Sequence, residues 1–527
     1  MIEKIYAVHI ANRINAREVN TRRLRRKGRP TRSKGFMNFT PMVWSPTRAN
    51  ERGTINSGDS RPIPLRAITC ATRMLGAAAS DAPCIVHQGE FAMDASPPYL
   101  RNYPLGALLN EGKTKKIYLA TDSTDYVEVV AKDDITAGDG AKHDIIKDKG
   151  RLATTTTSNV FRLLKDCGLP VAFIEQDSPT SFCAPRCEML PYEVVVRREA
   201  HGSYLKRNTH LPKGHLFPRL VVEFFLKTKD RNWKGKPLIC DDPMMTYEEG
   251  GKQIGLFNPA KPIVGQEPFL VLATEEVFGH DDEWKAFAKM RHLARQAFLV
   301  LEKAWQLEGG RLVDLKVEFG LDGKGNLLLA DVVDNDSWRV LENDDHIDKQ
   351  VYRDGGALDQ VAAKYGHVAD VTRHFRVPSQ RIILWRDSEK DSTDPFEEAL
   401  GELKSMTTVV TCSAHKEPVA MAETFHRLIQ DVPDCVVIAY IGRSNAAGPT
   451  LSAMSTIPVI TVPASIKEFP DDLWSSLRTP SAVPVMTVLE PANAVLAARQ
   501  ILSSRNPRLY AEARAEIENR TVNTIHV

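Results

Sequence analysis

The sequence has 527 residues, of which 43% are hydrophobic and 26% are charged. This composition excludes a collagen-like chain, a coiled coil and a wholly disordered protein, and the length predicts roughly two to four domains. The 8 cysteines are scattered, which excludes a disulfide-rich secreted scaffold and favours a reducing compartment. No apolar run approaches the roughly 18 residues of a membrane span, and residues 1–10 lack the apolar core of a signal peptide. We therefore expect a cytosolic protein with no membrane partner.

The net charge of +2 is distributed unevenly along the chain. Residues 1–50 contain 12 Lys and Arg against two acidic residues, so this segment carries +10 and the remainder −8. Residues 1–100 show little periodicity and predict a basic, disordered extension. Its arginine-rich run at 22–27 is compatible with a nuclear-localisation cluster, an organellar targeting peptide, a nucleic-acid arm or a solvated tail. Because the body is mildly acidic, nucleic acid is not the expected partner of the whole protein.

From residue 101 to residue 376 the apolar pattern predicts an α+β domain. In chain order its predicted elements are strands at 117–119 and 126–130, a helix at 156–167, a strand at 193–198, a helix at 284–307, hairpin strands at 312–319 and 326–333, and a helix near 358–375. Gly168 and Pro170 are the stop signals of the first helix.

Residues 377–380 predict a linker, after which strands and helices alternate in a second domain, 381–527. In chain order its predicted elements are a strand at 381–385, a helix at 395–404, a strand at 407–411, a helix at 419–430, and strands at 435–440 and 458–462. Apolar strands that alternate with helices indicate a parallel sheet covered by helices on both faces.

The hairpin is the segment richest in possible chemistry. Alternation along its first strand puts Asp314, Lys316 and Glu318 on one face. A turn centred on 324–325 would place Glu318 opposite Asp331, with Cβ atoms roughly 4.5–5.5 Å apart. Two carboxylates at that distance repel unless a cation intervenes, and Mg²⁺ with one or two carboxylates and substrate phosphates fits. A solvated hairpin face neutralised by Lys316 is the alternative interpretation.

Two other segments carry clustered cations. In 111–118 a glycine-containing turn leads into a strand with Lys113 and Lys115 two residues apart, so that both can lie along a polyphosphate. In 197–207 four cationic side chains flank a Gly-Ser step, and arginine suits bidentate capture of carboxylate or phosphate. Each pattern also occurs on solvated surfaces. Together with the hairpin, the two segments predict a site for a nucleoside triphosphate, a metal and an anionic co-substrate.

From about residue 106 to residue 375 the sequence resembles SAICAR synthetase, the phosphoribosylaminoimidazole-succinocarboxamide synthase of purine biosynthesis. The motifs that carry the resemblance are Glu-Gly-Lys-Thr-Lys (111–115), Lys-Asp-Asp-Ile-Thr-Ala-Gly (132–138), Cys-Glu-Met-Leu-Pro (187–191), and the segments 197–207, 312–320, 329–339 and 348–354.

This resemblance implies a reaction, its cofactors and its site residues. The imidazole carboxylate is phosphorylated by ATP, and the amino group of aspartate then attacks the acyl phosphate to give an amide. The implied cofactors are ATP and Mg²⁺, with no biotin expected. The implied site residues are Lys113, Lys115, Glu188 and Met189 for ATP; Glu318 and Asp331 for Mg²⁺; Arg197, Ser203, Arg339, Lys349 and Arg353 for the phosphoribosyl substrate; and Lys227 and Lys316 as catalytic residues beside the reacting groups.

Residues 381 to about 520 resemble the AIR carboxylase that is fused to SAICAR synthetase in animals. The resemblance is carried by Ser-Ala-His-Lys (413–416) and by the segments 442–449 and 472–481. It implies a flavodoxin-like three-layer fold, aminoimidazole ribonucleotide and CO₂ as substrates, and a homo-octamer assembled through this domain. It also implies His415 as the catalytic acid and base, and substrate binding by Ser388, Asp391, Ser413, Lys416, Arg443 and Ser444.

The second domain departs from its family in the first loop. Asp387 and Lys390 stand where the family has the glycine and the second serine of a Gly-Ser-x-Ser-Asp loop, and 452–455 departs from Ser-Gly-Asn-Thr. A carboxylate at 387 would repel a substrate phosphate. The main hypothesis is therefore a bifunctional enzyme, and the alternative is an active ligase on a decayed carboxylase-like scaffold that serves oligomerisation. A nucleic-acid-associated protein that uses the basic arm is a third hypothesis.

Overall fold

A computed structural model describes residues 85–87, 105–121, 123–137, 141–246, 253–277 and 281–520. The predicted disordered extension lies outside the described residues, apart from 85–87. All described residues belong to one compact unit, 81–527. Among the helices in these ranges, none combines the length and the apolar character needed to cross a membrane.

A nine-stranded antiparallel sheet forms the centre of the first half of the molecule. In spatial order its strands are Leu270–Ala273, Gln253–Phe257, Met244–Thr246, Leu216–Leu226, Cys187–Glu199, Arg311–Asp322, Trp338–Glu342 and Asp345–His346, and Leu327–Ala330 also pairs with Arg311–Asp322. The long helix Asp281–Leu307 packs against this sheet and buries Phe298 and Trp305 completely.

A five-stranded sheet completes the first half. Its strands are Leu105–Glu111, Lys115–Ala120, Tyr126–Ala131, Ser181–Pro185 and Glu175–Gln176. Shorter elements are the strand pairs Asp134–Ala137 with Lys142–Ile145 and Asn232–Trp233 with Lys236–Pro237, and the helices Ser203–Arg207, Thr274–Val277 and Gln350–Arg353.

The helix Lys149–Asp166 packs on the five-stranded sheet and on the helix Leu358–Thr372. It begins at Lys149, not at the predicted residue 156. Its early start depends on Asp133, whose carboxylate accepts hydrogen bonds from the backbone N–H groups of Asp148 (3.2 Å) and Gly150 (2.8 Å). These groups lack partners within the helix, so a carboxylate from outside it stabilises the first turn.

The second half is built on a six-stranded sheet. Its strands are, in spatial order, Ile85–His87, Thr407–Thr411, Arg381–Arg386, Cys435–Ile441, Val459–Pro463 and Met486–Thr487. The strands from Thr407–Thr411 onward are parallel, in the order 2-1-3-4-5 of the flavodoxin-like arrangement, which confirms the predicted fold class. The short strand Ile85–His87 pairs antiparallel with the outer edge, so these residues depart from the predicted disorder. An unpaired edge strand offers free backbone groups to such a segment.

Apolar side chains cover both faces of the parallel sheet. Along Arg381–Arg386, Ile382 and Leu384 enter one buried cluster, whereas Ile383 and Trp385 enter another on the opposite face. The flanking helices are Asp394–Leu400, Pro418–Asp431, Ala447–Ala453, Leu473–Leu477 and Pro491–Ser503, with 3-10 helices Gly401–Met406 and Pro470–Asp472.

A last helix, Pro507–Arg520, joins the two halves and was not predicted. Leu509 lies in the core of the second half, while Ala511 and Ala515 lie in the core of the first. We call this element the C-terminal helix.

Candidate active sites

The hairpin pairs Glu318 with Ala330, so the predicted pairing of Glu318 with Asp331 was wrong by one residue. Asp331 lies just beyond the end of the second strand, with a backbone φ of 69°. Aspartate tolerates this left-handed conformation better than most residues do. Glu318 and Asp331 nevertheless line the same cavity, of about 430 Å³. The predicted proximity of the two carboxylates is therefore consistent with the structure, although the predicted pairing of the hairpin strands was wrong.

The turn explains the shift in register. The prediction assumed an even turn centred on 324–325, but the turn has an odd number of residues between Asp322 and Asn326, whose backbones pair. Gly325 takes the left-handed conformation, with φ of 79°. The Asp322 carboxylate accepts hydrogen bonds from the N–H groups of Lys324 (2.9 Å) and Asn326 (2.8 Å). A three-residue hairpin loop with a left-handed glycine has this form.

Lysines surround the two carboxylates at the polar end of the cavity. Glu318 contacts Lys227 Nζ at 2.6 Å and Lys316 Nζ at 2.9 Å, and Asp331 forms an ion pair with Lys115. Burial alone would raise the pKa of Glu318, but Lys316 and Lys227 outweigh it and lower the pKa to about 2. Burial lowers the pKa of Lys115 to about 8. The site therefore keeps Glu318 ionised and holds one lysine that titrates near neutral pH.

The opposite end of this cavity is apolar. Its wall includes Ile117, Val127, Val129, Phe182, Ala184 and Met189. Met189 is 44% exposed, so a flat ligand can reach it. Glu188 is exposed and pairs through its backbone with Leu321, and Lys113 is exposed in the turn before Lys115. The structure thus brings Met189 and Lys115 to one cavity, while Glu188 and Lys113 are not among the residues that line it.

Arginines converge on a shared carboxylate beside this cavity, and we call the group the arginine cluster. Asp314 accepts hydrogen bonds from Arg197 Nη1 (2.8 Å) and Arg339 Nη1 (2.6 Å). Glu223 accepts from Arg197 Nε (2.7 Å) and from Arg207. The side chain of Arg197 is only 3% exposed, whereas that of Arg339 is 16% exposed.

The Gly-Ser step lies against the arginine cluster. A Cβ atom at Gly202 would overlap the Arg339 guanidinium, and φ of 56° also favours glycine there. Ser203 follows at the exposed start of the short helix Ser203–Arg207. The predicted substrate residues Arg197, Ser203 and Arg339 are therefore neighbours, with Arg339 the more accessible guanidinium.

Lys349 and Arg353 are not among the residues that line the cavity. Lys349 is buried and pairs with Asp336 Oδ2 at 2.7 Å. The other oxygen of Asp336 accepts a hydrogen bond from Tyr365. Arg353 is exposed at the end of its helix. Their place with the substrate stays a prediction, and the half-buried Asp336 takes up the Lys349 charge.

Loops at the carboxyl ends of three adjacent parallel strands form the second candidate site. They comprise 387–391, 413–416 and 442–444, which follow the strands Arg381–Arg386, Thr407–Thr411 and Cys435–Ile441. Ligands of open parallel sheets bind at this edge, where the strand order reverses. The predicted residues in these loops are Ser388, Asp391, Ser413, His415, Lys416, Arg443 and Ser444.

Close backbone contacts hold these loops together. The Asp391 carboxylate accepts a hydrogen bond from the Gly442 N–H, and a Cβ atom at Gly442 would overlap that carboxylate. Ser444, with φ of 49°, donates its N–H to Asp472 Oδ1 at 2.7 Å. The Arg443 guanidinium lies 3.9 Å from the centre of the Phe469 ring. Segments from distant parts of this half therefore meet at one edge.

Family models match both halves of the chain. SAICAR synthetase matches 108–255 and 271–370, and AIR carboxylase matches 381–522. A Caenorhabditis elegans protein named probable multifunctional protein ADE2 is 36% identical over 427 residues, which cover 78% of this chain and 94% of that protein. The chain belongs to the bifunctional SAICAR synthetase and AIR carboxylase family.

Other relatives match the whole or one half of the chain. A Drosophila melanogaster protein named bifunctional phosphoribosylaminoimidazole carboxylase/phosphoribosylaminoimidazole succinocarboxamide synthetase is 31% identical and covers 80% of this chain and 94% of its own. A phosphoribosylaminoimidazole-succinocarboxamide synthase from Chloroflexus aurantiacus is 39% identical over 51% of this chain and 96% of its own. A solved structure of that synthase from Ehrlichia chaffeensis is 26% identical, covers 51% of this chain and 98% of its own, and has a TM-score of 0.41.

Asp387, in the first loop of the AIR carboxylase domain, faces the loop that carries His415. Burial raises the pKa of Asp387, while a hydrogen bond from the Ala414 N–H and the nearby His415 and Lys416 oppose that rise. The Oδ1 atom of Asp387 is buried without a hydrogen-bond partner. An unsatisfied buried carboxylate oxygen is costly, so this atom is a ready acceptor for a proton or a donor group.

The altered segment 452–455 begins at the end of the helix Ala447–Ala453. Ser452 is 6% exposed and donates a hydrogen bond to the Pro484 carbonyl oxygen from the helix Ala447–Ala453. This hydroxyl therefore fastens the helix to the segment that follows it.

Two charged residues of the SAICAR synthetase domain were missed. Lys132 Nζ contacts Glu111 at 3.2 Å and so links the end of the strand Tyr126–Ala131 to the residue just before the turn that carries Lys113. Glu223 supports Arg197 and Arg207 from an otherwise apolar strand. Lys132 opens the Lys-Asp-Asp-Ile-Thr-Ala-Gly motif, and a lone acid in a run of apolar residues is the signal that could have revealed Glu223.

Proposed function

We propose that this protein catalyses two steps of de novo purine biosynthesis. One domain ligates aspartate to carboxyaminoimidazole ribonucleotide with ATP, giving SAICAR, and the other carboxylates aminoimidazole ribonucleotide. The observation that carries the proposal is the cavity in which an apolar wall ends at Glu318, Asp331 and their lysines. A nucleotide base suits the apolar wall, and a polyphosphate suits the charged end.

We assign one ATP molecule to this cavity, with its base at the apolar end and its phosphates at the charged end. The base would lie against Met189, with Glu188 beside it, and the phosphates would extend toward Lys115 and Lys113. The Glu318 and Asp331 carboxylates are hard oxygen ligands, and the low pKa of Glu318 keeps it ionised, so this pair fits Mg²⁺ with substrate phosphates. When bound, Mg²⁺ would neutralise charge on the transferring phosphoryl group.

Ligation proceeds through an acyl phosphate. A carboxylate oxygen of the imidazole substrate attacks the γ-phosphorus of ATP, and ADP leaves. The aspartate amine then attacks the acyl carbon, loses a proton, and phosphate departs as the amide forms. Lys227 and Lys316 form ion pairs with Glu318, and they would stabilise negative charge on the phosphoryl and acyl oxygens.

The arginine cluster is proposed to bind the phosphoribosyl substrate. Arg339 and Ser203 would contact it directly, and Arg197 would fix Arg339 through the shared Asp314. Lys349 and Arg353 would contribute from farther away, since Lys349 is paired with Asp336.

The carboxylase step requires a proton acceptor at the ring carbon. CO₂ forms a bond with that carbon, and His415 would take the proton that the carbon releases. His415 is exposed in its loop, as a residue that meets a bound substrate must be. Ser388, Asp391, Ser413, Lys416, Arg443 and Ser444 would hold the phosphate and ribose.

We also propose a cytosolic homo-octamer that assembles through the AIR carboxylase domain. Large apolar side chains are exposed on this domain, including Trp474 (49%), Leu477 (50%), Leu489 (46%) and Leu496 (43%). Exposed apolar groups of this size favour self-association. The cysteines of the described residues are free thiols, in keeping with a reducing compartment. Light scattering on the purified protein and on a Trp474→Ser variant tests the assembly.

Separate assays of the two half-reactions on the purified full chain test the proposed function. SAICAR formation should require ATP, Mg²⁺, aspartate and the carboxylated substrate. Carboxylation should proceed without ATP or biotin. Ligation without carboxylation would favour the decayed scaffold, and absence of both reactions would contradict the proposal.

A further inference from the structure

The C-terminal helix reaches the ligase domain through one buried carboxylate. Glu518 lies in the last turns of this helix and is 1% exposed. It accepts hydrogen bonds from Arg198 Nη2 (2.8 Å) and from the Leu220 N–H (3.1 Å), and Arg295 and Arg514 also contact it. Glu518 falls in the part of the chain that the AIR carboxylase family matches, yet most of these partners belong to the SAICAR synthetase domain.

Arg198 connects Glu518 to the arginine cluster. Arg198 and Arg197 are consecutive in the strand Cys187–Glu199, so their side chains leave opposite faces of the sheet. Arg197 points to Asp314 and Glu223, whereas Arg198 points to Glu302 of the long helix and to Glu518. At the position of Arg197 and Arg198, ion pairs therefore hold the strand on both faces of the sheet.

Other contacts of the C-terminal helix fix it to the same region. Tyr510 donates its hydroxyl to Glu302 Oε2 (2.9 Å), and Arg514 Nη2 donates to the Pro218 carbonyl (2.9 Å). Arg499 of the preceding helix pairs with Glu516 at 2.6 Å, which anchors the other side of the C-terminal helix to the carboxylase domain.

We propose that Glu518 is a positioning residue of the ligase site. From the segment that matches the carboxylase family, its carboxylate fixes Arg198, and Arg198 in turn fixes the strand that presents the arginine cluster. This inference rests on the proposed function of that cluster in binding the phosphoribosyl substrate. Because Glu518 does not line the ATP cavity, its loss should affect the two substrates differently.

The test is a Glu518→Gln variant of the full chain, with Glu516→Gln as the matched control. Glu516 is on the same helix but pairs with Arg499 and Arg520, away from the strand. We expect Glu518→Gln to raise the KM for the carboxylated ribonucleotide about fivefold to tenfold, with less than a twofold change for ATP. Glu516→Gln should leave both KM values unchanged, and Glu518→Asp, which keeps the charge, should restore most of the loss.

A double-variant cycle separates positioning from general packing. If Glu518 acts through Arg198, adding Glu518→Gln to Arg198→Gln should raise the KM no further. Unchanged KM values in Glu518→Gln, equal rises for both substrates, or additive effects in the double variant would overturn the inference. An unaltered protein that forms no SAICAR would instead contradict the proposed function, so the two failures are distinguishable. Should Glu518→Gln not fold, Arg198→Lys keeps the charge but loses the fork that reaches both Glu302 and Glu518, and it must show the same selective rise.

Discussion

The ligase site draws its charged side chains from strands that are far apart in the sequence, whereas the carboxylase site draws them from loops after consecutive strands. Lys115, Lys227 and Lys316 come from different strands or strand ends, and each forms an ion pair with Glu318 or Asp331. In the carboxylase domain, the loops 387–391 and 413–416 follow neighbouring parallel strands and meet where the Ala414 N–H donates to the Asp387 carboxylate. A change in the ligase site therefore leaves a charge without its partner, while a loop residue can change without loss of the sheet.

The largest expected effect is at the paired carboxylates. We predict that Glu318→Gln or Asp331→Asn lowers SAICAR formation at least about 10³-fold, the upper range for loss of one preorganised electrostatic group. Lys227 and Lys316 would then share no counter-charge at position 318. Steady-state ligase assays measure the effect, and carboxylase activity of the same variants serves as the internal control. Near-normal ligation at ordinary Mg²⁺ would remove the metal assignment.

The next effect should be confined to the other domain. His415→Asn is expected to lower carboxylation of aminoimidazole ribonucleotide about 10²–10³-fold, because general acid–base catalysis contributes on that order. Ligation from supplied carboxylated substrate should be unchanged. His426→Asn, on an exposed helix face, is the matched control. A loss in both reactions would show that His415 also affects the ligase site, although the two sites lie in different domains.

Arg197→Lys tests the arginine cluster. Lysine keeps the charge but loses the fork that reaches both Glu223 and Asp314. We expect the KM for the phosphoribosyl substrate to rise about tenfold, roughly 1.4 kcal/mol, with a smaller change for ATP. Initial-rate measurements against each substrate decide this, and an equal rise for both would make Arg197 a purely structural residue.

Lys115 should give the ligase a pH dependence on the alkaline side of neutrality. Its pKa is lowered to about 8, so it is charged below that pH and becomes neutral above it. Phosphate binding should therefore weaken as pH rises, and kcat/KM for ATP should fall several-fold between pH 7 and pH 9. Lys115→Arg keeps its charge throughout and should flatten this profile. A profile that is flat in the unaltered enzyme would remove Lys115 from the phosphate site.

The smallest expected effect concerns the altered carboxylase loop. Asp387→Gly removes a buried carboxylate oxygen that lacks a partner, and we expect carboxylation to rise about twofold to fivefold. Lys390→Ser alone should lower it, because Lys390 offsets part of the Asp387 charge. Carboxylation rates of both single variants and the double variant provide the measurement. Indifference to all of these changes would show that the loop does not govern phosphate binding.

Local patterns in the sequence predicted the long helix Asp281–Leu307, both hairpin strands, four of the five parallel strands, and the shared face of Asp314, Lys316 and Glu318. They could not predict what depends on distant partners. The register of the hairpin depended on a left-handed Gly325, and the start of one helix depended on Asp133. The strand Leu216–Leu226 was not predicted, because its apolar residues do not alternate with polar ones and an acid that pairs with two buried arginines interrupts their run.

For the carboxylase site, the sequence predicted the loops, whereas the roles of their residues stay predictions. Its residues follow apolar parallel strands, and the carboxyl ends of such strands meet at one edge whatever the loop sequence. The burial of Ser452 could not be predicted from the sequence, because it depends on how Ala447–Ala453 packs against the following segment. A motif locates a loop, but the neighbouring elements decide which of its side chains face solvent.

Placement of Ala511, Ala515 and Glu518 in the ligase core has a consequence for synthesis of the protein. About 135 residues separate Thr372 from Pro507, so the ligase domain leaves the ribosome well before its last helix exists. At roughly 5–20 residues per second, that delay is on the order of 7–27 s. During this interval Arg198 lacks its Glu518 partner, and the apolar side chains of the ligase core that Ala511 and Ala515 contact are not covered by the C-terminal helix. We therefore expect nascent chains arrested before residue 507 to bind holding chaperones more strongly than completed chains do.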